Sequence, residues 1–91
     1  MSELRYTGQY KKDLKKYLNN PQKLEELRIV LDYLRNDVPL PKKYKDHVLK
    51  RNYQGCHECH IEGDFLLIRY NEDKSVIALY RLGTHSELFN K

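Results

Sequence analysis

The sequence has no tryptophan, one methionine, three prolines and four glycines. If tyrosine is not counted as apolar, the longest apolar runs in the sequence are four residues, as at 65–68. A transmembrane helix needs about 20. Residues 1–5 carry charge with no apolar stretch behind it, so we expect no secretory signal and a cytoplasmic location. A chain of 91 residues with no linker or repeat predicts a single domain over residues 1–91.

The positive charge is concentrated in the first half of the chain. The net charge is +4, and residues 1–50 hold 12 Lys and Arg against 7 Asp and Glu, while residues 51–91 hold 5 against 6. A basic half of this kind suits a polyanion or an acidic protein partner. A lysine-rich solvated helix surface would give the same count, so charge alone leaves both interpretations open.

Cysteine is scarce, and the two cysteines form a Cys-x-x-Cys at Cys56 and Cys59. A zinc site would need four ligands, and no second cysteine pair exists, so His57 and His60 would have to complete it. On a strand, however, Cys56, Glu58 and His60 face one side and Cys59 faces the other. We therefore predict no metal and no disulfide at this motif.

The first half of the chain has helical spacing. Tyr10, Leu14, Tyr17 and Leu18 recur at helical intervals. Asn20 and Pro21 are typical of a helix start, as cap and first residue. A leucine stripe then follows, at Leu24, Leu27, Leu31 and Leu34. These patterns predict two helices that form a hairpin with one apolar side.

The second half reads as strands joined by short turns. Residues 53–61 alternate loosely, residues 65–70 are apolar on both faces, and residues 75–82 are rich in Val, Ile, Leu and Tyr. A short additional strand is expected at 3–7. The predicted fold class is α+β: a small, antiparallel-type sheet with the N-terminal helical hairpin packed on one face. Its other face is then open to a ligand.

The strands and loops carry residues suited to RNA cleavage without metal. A base can remove the 2′-hydroxyl proton, and an acid can protonate the departing 5′-oxygen. Histidine suits both tasks because its unperturbed pKa is about 6.5, and cations stabilise the charge that develops on the phosphate. The candidates are His47, His60, Asp64 and His85 for proton transfer, Lys45 and Arg81 for phosphate, and Phe89 for base stacking. Each has a structural alternative, such as a solvated loop residue, a turn former or a core plug.

Several separated motifs resemble the YafQ branch of the RelE-like toxins, in the same order and over nearly the whole chain. The motifs are YTGQYKKD at 6–13, Pro39-Leu40-Pro41, YKDH at 44–47, ECHIEGDFLLI at 58–68 and RLGTHSELF at 81–89.

The resemblance implies a bacterial type II toxin that acts as an mRNA interferase, an endoribonuclease that cuts translated mRNA in the ribosomal A site. It implies a RelE-like sheet covered by a helical hairpin, and a cognate acidic antitoxin of the DinJ or RelB kind. DNA would be bound only through the antitoxin complex. No membrane and no cofactor are implied.

By position, the resemblance implies the catalytic set His47, His60, Asp64 and His85, with Phe89 supporting the substrate. Phe65 stands where tryptophan is common after the catalytic aspartate, and it is expected to stack or pack. We expect His60, oriented by Asp64, to be the base and His85 the acid, with His47, Lys45 and Arg81 on phosphate.

The chain departs from the family pattern near the predicted site. Gly63 stands where proline often precedes the aspartate, and Gly55-Cys56-His57 replaces a Gly-aromatic-Arg segment. These departures keep two alternatives open: a basic module that binds RNA or the ribosome with weakened catalysis, and a partner-dependent transcriptional autoregulator.

Overall fold

The computed structural model describes residues 1–89. A five-stranded sheet has the order β1-β5-β4-β3-β2. The strands are β1 (Glu3–Tyr6), β2 (His47–Val48), β3 (His57–Glu62), β4 (Phe65–Asp73) and β5 (Val76–Gly83); the helices are α1 (Gly8–Lys15), α2 (Pro21–Arg35) and α3 (His85–Phe89). The α+β prediction is confirmed.

The helical hairpin forms for the reasons that its sequence suggests. The Asn20 side chain accepts a hydrogen bond from the Lys23 backbone N–H, and Pro21 opens α2, as predicted. Helix α1 begins two residues earlier than its apolar spacing indicates, because the Thr7 hydroxyl caps it by accepting from the Tyr10 N–H. Each helix of the hairpin therefore begins at a specific capping side chain.

The sheet is mixed rather than wholly antiparallel. The pairs β2–β3, β3–β4 and β4–β5 are antiparallel, but β1 pairs parallel with β5. A parallel pair needs a long crossover connection, and here the connection holds both helices and the other strands. The antiparallel-type prediction is thus correct for four strands and incomplete for the edge strand β1.

Two apolar clusters lie on opposite faces of the sheet. The larger one packs the helical hairpin against the sheet and includes Val30, Phe65 and Leu79. The smaller one includes Leu66 and Ile68 of β4 with Cys56 and Leu88, and Tyr53 and Phe89 pack against it. The second face is therefore partly covered by the segment before β3 and by α3, and the rest of it is open.

No helix among residues 1–89 is long and apolar enough to cross a membrane.

Candidate active site

Three histidines from separate elements form a row on the open face of the sheet. His47 lies opposite Glu58 in the β2–β3 pairing, and His60 follows Glu58 by two residues on the same face of β3. The ring centroids of His47 and His60 are 6.2 Å apart, and those of His60 and His85 are 5.9 Å apart. Three of the four residues predicted to be catalytic are therefore neighbours in the structure.

Asp64 holds His85, not His60. One carboxylate oxygen, Oδ1, accepts from the His85 backbone N–H at 3.1 Å and lies 3.0 Å from the ring atom Nδ1. The backbone and side-chain hydrogen bonds from His85 hold the pKa of Asp64 below its ordinary value. The expectation that Asp64 orients His60 is wrong, because the turn after β3 directs the carboxylate toward α3.

Gly63 stands at this turn where proline is common in the family, and its backbone conformation is one that suits glycine. Its φ is +55°, a left-handed conformation that proline cannot adopt because its ring fixes φ near −65°. The turn therefore differs in backbone path from one that contains proline. The carboxylate of Asp64 nevertheless reaches His85.

Glu58 lies beneath the row and is not among the site residues that the sequence predicts. It is 2% exposed, and its Oε1 lies 3.1 Å from Nε2 of His47 and 3.8 Å from Nε2 of His60. Its other oxygen, Oε2, is buried without a hydrogen-bond partner in the described structure. The alternation of side chains along β3 predicts that Glu58 and His60 share a face, and this pattern could have placed Glu58 near the site.

Lys45 contributes to the site through its backbone. Its carbonyl oxygen lies 2.8 Å from Nδ1 of His47, and its φ of +50° places the chain in a left-handed turn just before β2. Asp46 next to it makes a two-point ion pair with buried Arg69, at 2.8 and 2.9 Å. The loop that leads into His47 is thus fixed by contacts of the two residues before it, while the Lys45 side chain is exposed.

Arg81 is held by a buried carboxylate. Its Nε and Nη2 donate to Asp13 at 2.8 and 3.3 Å, and its Nη1 donates to the Tyr53 hydroxyl at 3.0 Å. Burial raises the pKa of Asp13, but the hydrogen bonds from Arg81 and the Leu82 N–H outweigh it, so the pKa lies below its ordinary value. With a side chain 21% exposed, Arg81 supports α3, because Tyr53 in turn donates to the Leu88 carbonyl.

Phe89 stands one helical turn after His85 and borders the row. Its ring centroid lies 5.6 Å from that of His85 and 5.7 Å from that of Tyr53, the latter edge-on. The ring is half-buried. It therefore both packs on the smaller cluster and remains accessible next to the histidines.

Just before helix α3, the backbone of Gly83 lies close to the side chain of Glu87. A Cβ on Gly83 would lie 2.5 Å from Oε1 of Glu87, and that same carboxylate accepts from Tyr17 at 2.8 Å. Glycine at position 83 thus leaves room for the Glu87 carboxylate, which connects α3 to Tyr17 in the turn after α1.

Phe65 does not reach the site. It is 1% exposed and lies in the larger cluster on the helix-covered face, where its ring centroid is 4.6 Å from that of Tyr17. Lys23 lies over the same ring at 5.2 Å. The expectation that Phe65 binds substrate by stacking is not supported by its position, and its packing alternative describes it correctly.

The two cysteines lie on opposite faces, as strand alternation predicts. Cys56 belongs to the smaller cluster and Cys59 to the larger one. Burial raises the pKa of both thiols, that of Cys59 to about 12, so neither is a thiolate at neutral pH. Over residues 1–89, no group of three or more His, Cys, Asp or Glu side chains is arranged to hold a metal ion.

His57 does not provide the charge that an arginine would bring to this segment. Burial, together with the nearby charge of Arg69, lowers the pKa of His57 below its ordinary value. Its ring is therefore mainly neutral at physiological pH.

The sequence and the fold match those of known bacterial toxins. A family model described as "Bacterial toxin of type II toxin-antitoxin system, YafQ" matches residues 2–90. The chain belongs to the YafQ family. It is similar to the mRNA interferase toxin YafQ of Escherichia coli K12, with 36% identity over 88 residues that cover 96% of this chain and 95% of that protein.

Solved YafQ-family structures share the whole fold. The toxin in the E. coli DinJ–YafQ complex has a TM-score of 0.84 and 32% identity, covering 99% of this chain and 100% of that one. A metal-bound toxin from Helicobacter pylori has a TM-score of 0.87 and 38% identity, covering 98% of this chain and 100% of that one. The YafQ fold therefore extends over essentially all of the chain.

Proposed function

We propose that this YafQ-family protein is an mRNA interferase: an endoribonuclease toxin that cuts mRNA on the ribosome and thereby inhibits translation. The observation that carries the proposal is the row of three imidazoles on the open face, with one of them held by a carboxylate. The related E. coli protein bears the name mRNA interferase toxin, and this chain retains the histidines of the motifs that resemble that family.

The proposed reaction is attack of an RNA 2′-hydroxyl on the adjacent phosphorus. Asp64 accepts from Nδ1 of His85, which leaves Nε2 of that ring with a lone pair that can take the 2′-hydroxyl proton. A bond forms between the 2′-oxygen and phosphorus as the bond to the 5′-oxygen breaks, and a second imidazole of the row protonates that oxygen. Lys45, exposed beside His47, is the cation proposed to attract phosphate.

These roles revise the order expected from the sequence. His85, rather than His60, is proposed as the base because the carboxylate partner belongs to His85. His60, at the centre of the row, faces the scissile phosphate in this proposal. Phe89 is proposed to stack on a base next to the scissile bond, as aromatic side chains do in sites for single-stranded nucleic acids.

An antitoxin is the proposed protein partner. The related E. coli toxin is found in a DinJ–YafQ complex. This chain has a groove of about 390 Å³ between its first two helices, lined by four leucines, two tyrosines, three cations and Asp32. We propose that an acidic, amphipathic antitoxin segment binds in that groove. Operator DNA would be contacted through the complex, and the proposed location is the bacterial cytoplasm.

Induced expression tests the proposed function. Wild-type protein is expected to arrest growth and to produce cuts in translated mRNA, and His85→Ala is expected to do neither. His57→Ala is the matched control, since that ring lies outside the row, and it should remain toxic. Growth arrest by His85→Ala equal to that of the wild type would contradict the proposal, and absence of arrest with the wild type would favour the binding-module alternative.

A further inference from the structure

Two stacked tyrosines lie on the open face of the sheet, beyond the histidine row. The ring centroids of Tyr70 and Tyr80 are 5.9 Å apart, and the ring planes differ by 18°. Tyr70 follows Ile68 of the smaller cluster by two residues, so the two side chains share a face. Tyr80 is half-buried against that cluster, whereas Tyr70 is 39% exposed. The inner ring therefore supports an outer ring that is in contact with solvent.

A bulge in β5 brings Tyr80 to this position. The register of the β4–β5 pairing shifts after Ile68, so that Tyr80 is an extra residue of β5 without a partner on β4. Leu79 and Leu82 on either side both lie in the larger cluster, while Tyr80 packs against the smaller one on the opposite face. Bulges re-aim side chains and are frequent next to functional sites. The stacking on Tyr70 is thus built into the sheet.

The charged groups next to the tyrosine pair compensate each other. Arg5 lies opposite Ala78, which in turn lies opposite Tyr70, so the three form one cross-strand row. The Arg5 guanidinium makes an ion pair with Glu72, with Nε 3.2 Å from Oε1. The pair of tyrosines therefore presents ring surface rather than net charge. Such a surface suits the uncharged face of a nucleobase better than a phosphate.

A line of aromatic rings connects the tyrosine pair to the candidate active site. The Phe89 ring centroid is 5.6 Å from that of His85 and 5.7 Å from that of Tyr53. Phe89, Tyr53 and Tyr80 all pack against the smaller cluster, and Tyr70 stacks on the last of them. The aromatic side chains thus extend from the histidine row across the open face.

The distance along the sheet suits an RNA strand that passes over both places. Tyr70 follows Leu66 by four residues on β4, and Leu66 lies opposite His60. At about 3.3 Å per residue, the separation is about 13 Å. Nucleotides in a stacked strand advance by about 3.4 Å each, and those in an extended strand advance by more, so fewer than about four nucleotides span it.

We propose that the Tyr70–Tyr80 pair is a stacking subsite for a base of the RNA strand that flanks the cut, with Tyr70 making the contact. The inference rests on the proposed ribonuclease function. Because Tyr80 holds the Tyr70 ring before RNA arrives, little conformational freedom is lost on binding. The subsite contributes affinity and takes no part in proton transfer.

The test measures cleavage of mRNA on programmed ribosomes over a range of toxin concentrations, under single-turnover conditions. Tyr70→Leu should raise the concentration for half-maximal cleavage by about 10-fold, because base stacking is lost, and should leave the maximal rate unchanged. Tyr70→Phe retains the ring and should behave like the wild type. Tyr33→Leu is the matched control, since Tyr33 is a half-buried tyrosine on α2, and it should cut normally. Thermal unfolding of all three should stay close to wild type.

A set of mRNAs, each with one abasic nucleotide near the cut, locates the base that stacks. For the wild type and Tyr70→Phe, one abasic position should raise the half-maximal concentration by about 10-fold. Tyr70→Leu should be insensitive to the missing base at that position, because the ring that contacts it is already gone. Such non-additivity is expected only of groups that interact.

Each outcome decides the proposal. A half-maximal concentration of Tyr70→Leu equal to that of the wild type would overturn it, as would additive effects of the two changes. A lower Tm or maximal rate with unchanged half-maximal concentration would show a structural cross-strand pair and overturn it too, and so would weaker antitoxin binding with normal cleavage. If the wild type cuts none of the mRNAs, the proposed function itself fails and this inference falls with it. A raised half-maximal concentration together with insensitivity at one abasic position supports it.

Discussion

The buried Asp13 links the fold to the candidate site, and its replacement by asparagine should be costly. Asp13 is 1% exposed and accepts from Arg81 twice, from the Leu82 N–H and from Gln9. An asparagine side chain at this position would keep the volume but would remove the charge and place an amide N–H₂ near the guanidinium. Breaking a buried ion pair costs about 3–5 kcal/mol.

The lower end of that range applies, because the Arg81 side chain is 21% exposed and can regain some hydration. We therefore expect Asp13→Asn to lower the free energy of unfolding by about 3 kcal/mol. For a domain of this size, 1 kcal/mol shifts Tm by about 4–8 °C, so Tm should fall by roughly 15 °C.

Urea and thermal unfolding measure this effect, with Asp37→Asn as the control. Asp37 also has polar partners, the Ser2 hydroxyl and the amino terminus, but its side chain is about half exposed, so its replacement should destabilise the protein much less than that of Asp13. A loss from Asp13→Asn no larger than that of the control would refute the reasoning.

The pH dependence of the same pair has a definite sign. The pKa of folded Asp13 lies below its ordinary value of 3.8. The stability that Asp13 contributes is therefore complete above that ordinary pKa and is lost as the pH falls through the lowered one. The stability difference between wild type and Asp13→Asn should be largest at neutral pH and should shrink below about pH 4.

The site and its surroundings support three more predictions. Phe89→Ala should weaken cleavage with little change in Tm, whereas Phe65→Ala should lower stability by about 3–5 kcal/mol because it empties the core; similar effects of both on Tm would contradict the assignment of their faces. Cleavage should survive EDTA at levels that leave ribosomes intact, since imidazoles supply both proton transfers, and a loss restored by added zinc or copper would contradict that scheme. Antitoxin binding should weaken as salt rises, because Lys11 and two arginines are among the residues that line the groove; an affinity independent of salt would indicate a mainly apolar interface.

Patterns along the chain predict the elements well where one side of an element is apolar. The leucine stripe and the Asn20 cap give α2, and alternation correctly divides Cys56 from Cys59. The parallel pairing of β1 was not predictable, because four residues carry no information about which strand they will join. Helix α3 was also missed, because its five residues are too few for a helical period to show.

The sequence indicated which histidines belong to the candidate site but not how they pair with Asp64. The resemblance groups His47, His60 and His85 in one predicted site, and the three rings are neighbours in the structure. Which ring meets Asp64 depends on a turn and on a register shift in β3 between His60 and Glu62, and neither is visible in the sequence. Residues 65–70 are apolar on both faces, so alternation could not reveal that Phe65 points into the core.

The burial of Asp13 could have been predicted from its position on α1, although the lysines around it in the sequence suggest an exposed face. It stands among lysines, which suggests a solvated face, yet it lies three residues after Tyr10 and one before Leu14, on the apolar side of α1. An acidic residue on an apolar stripe predicts a buried partner. Here that partner is Arg81, 68 residues away along the chain.

The most direct test of the proposed chemistry uses an mRNA with a single 2′-deoxy substitution at the nucleotide that is cut. The proposal predicts that wild-type protein on programmed ribosomes cuts the all-ribose mRNA to a 2′,3′-cyclic phosphate and leaves the substituted mRNA intact at that position. Cleavage of the 2′-deoxy mRNA at an undiminished rate would contradict attack by the 2′-hydroxyl, and with it the assignment of the imidazole row as the catalytic centre.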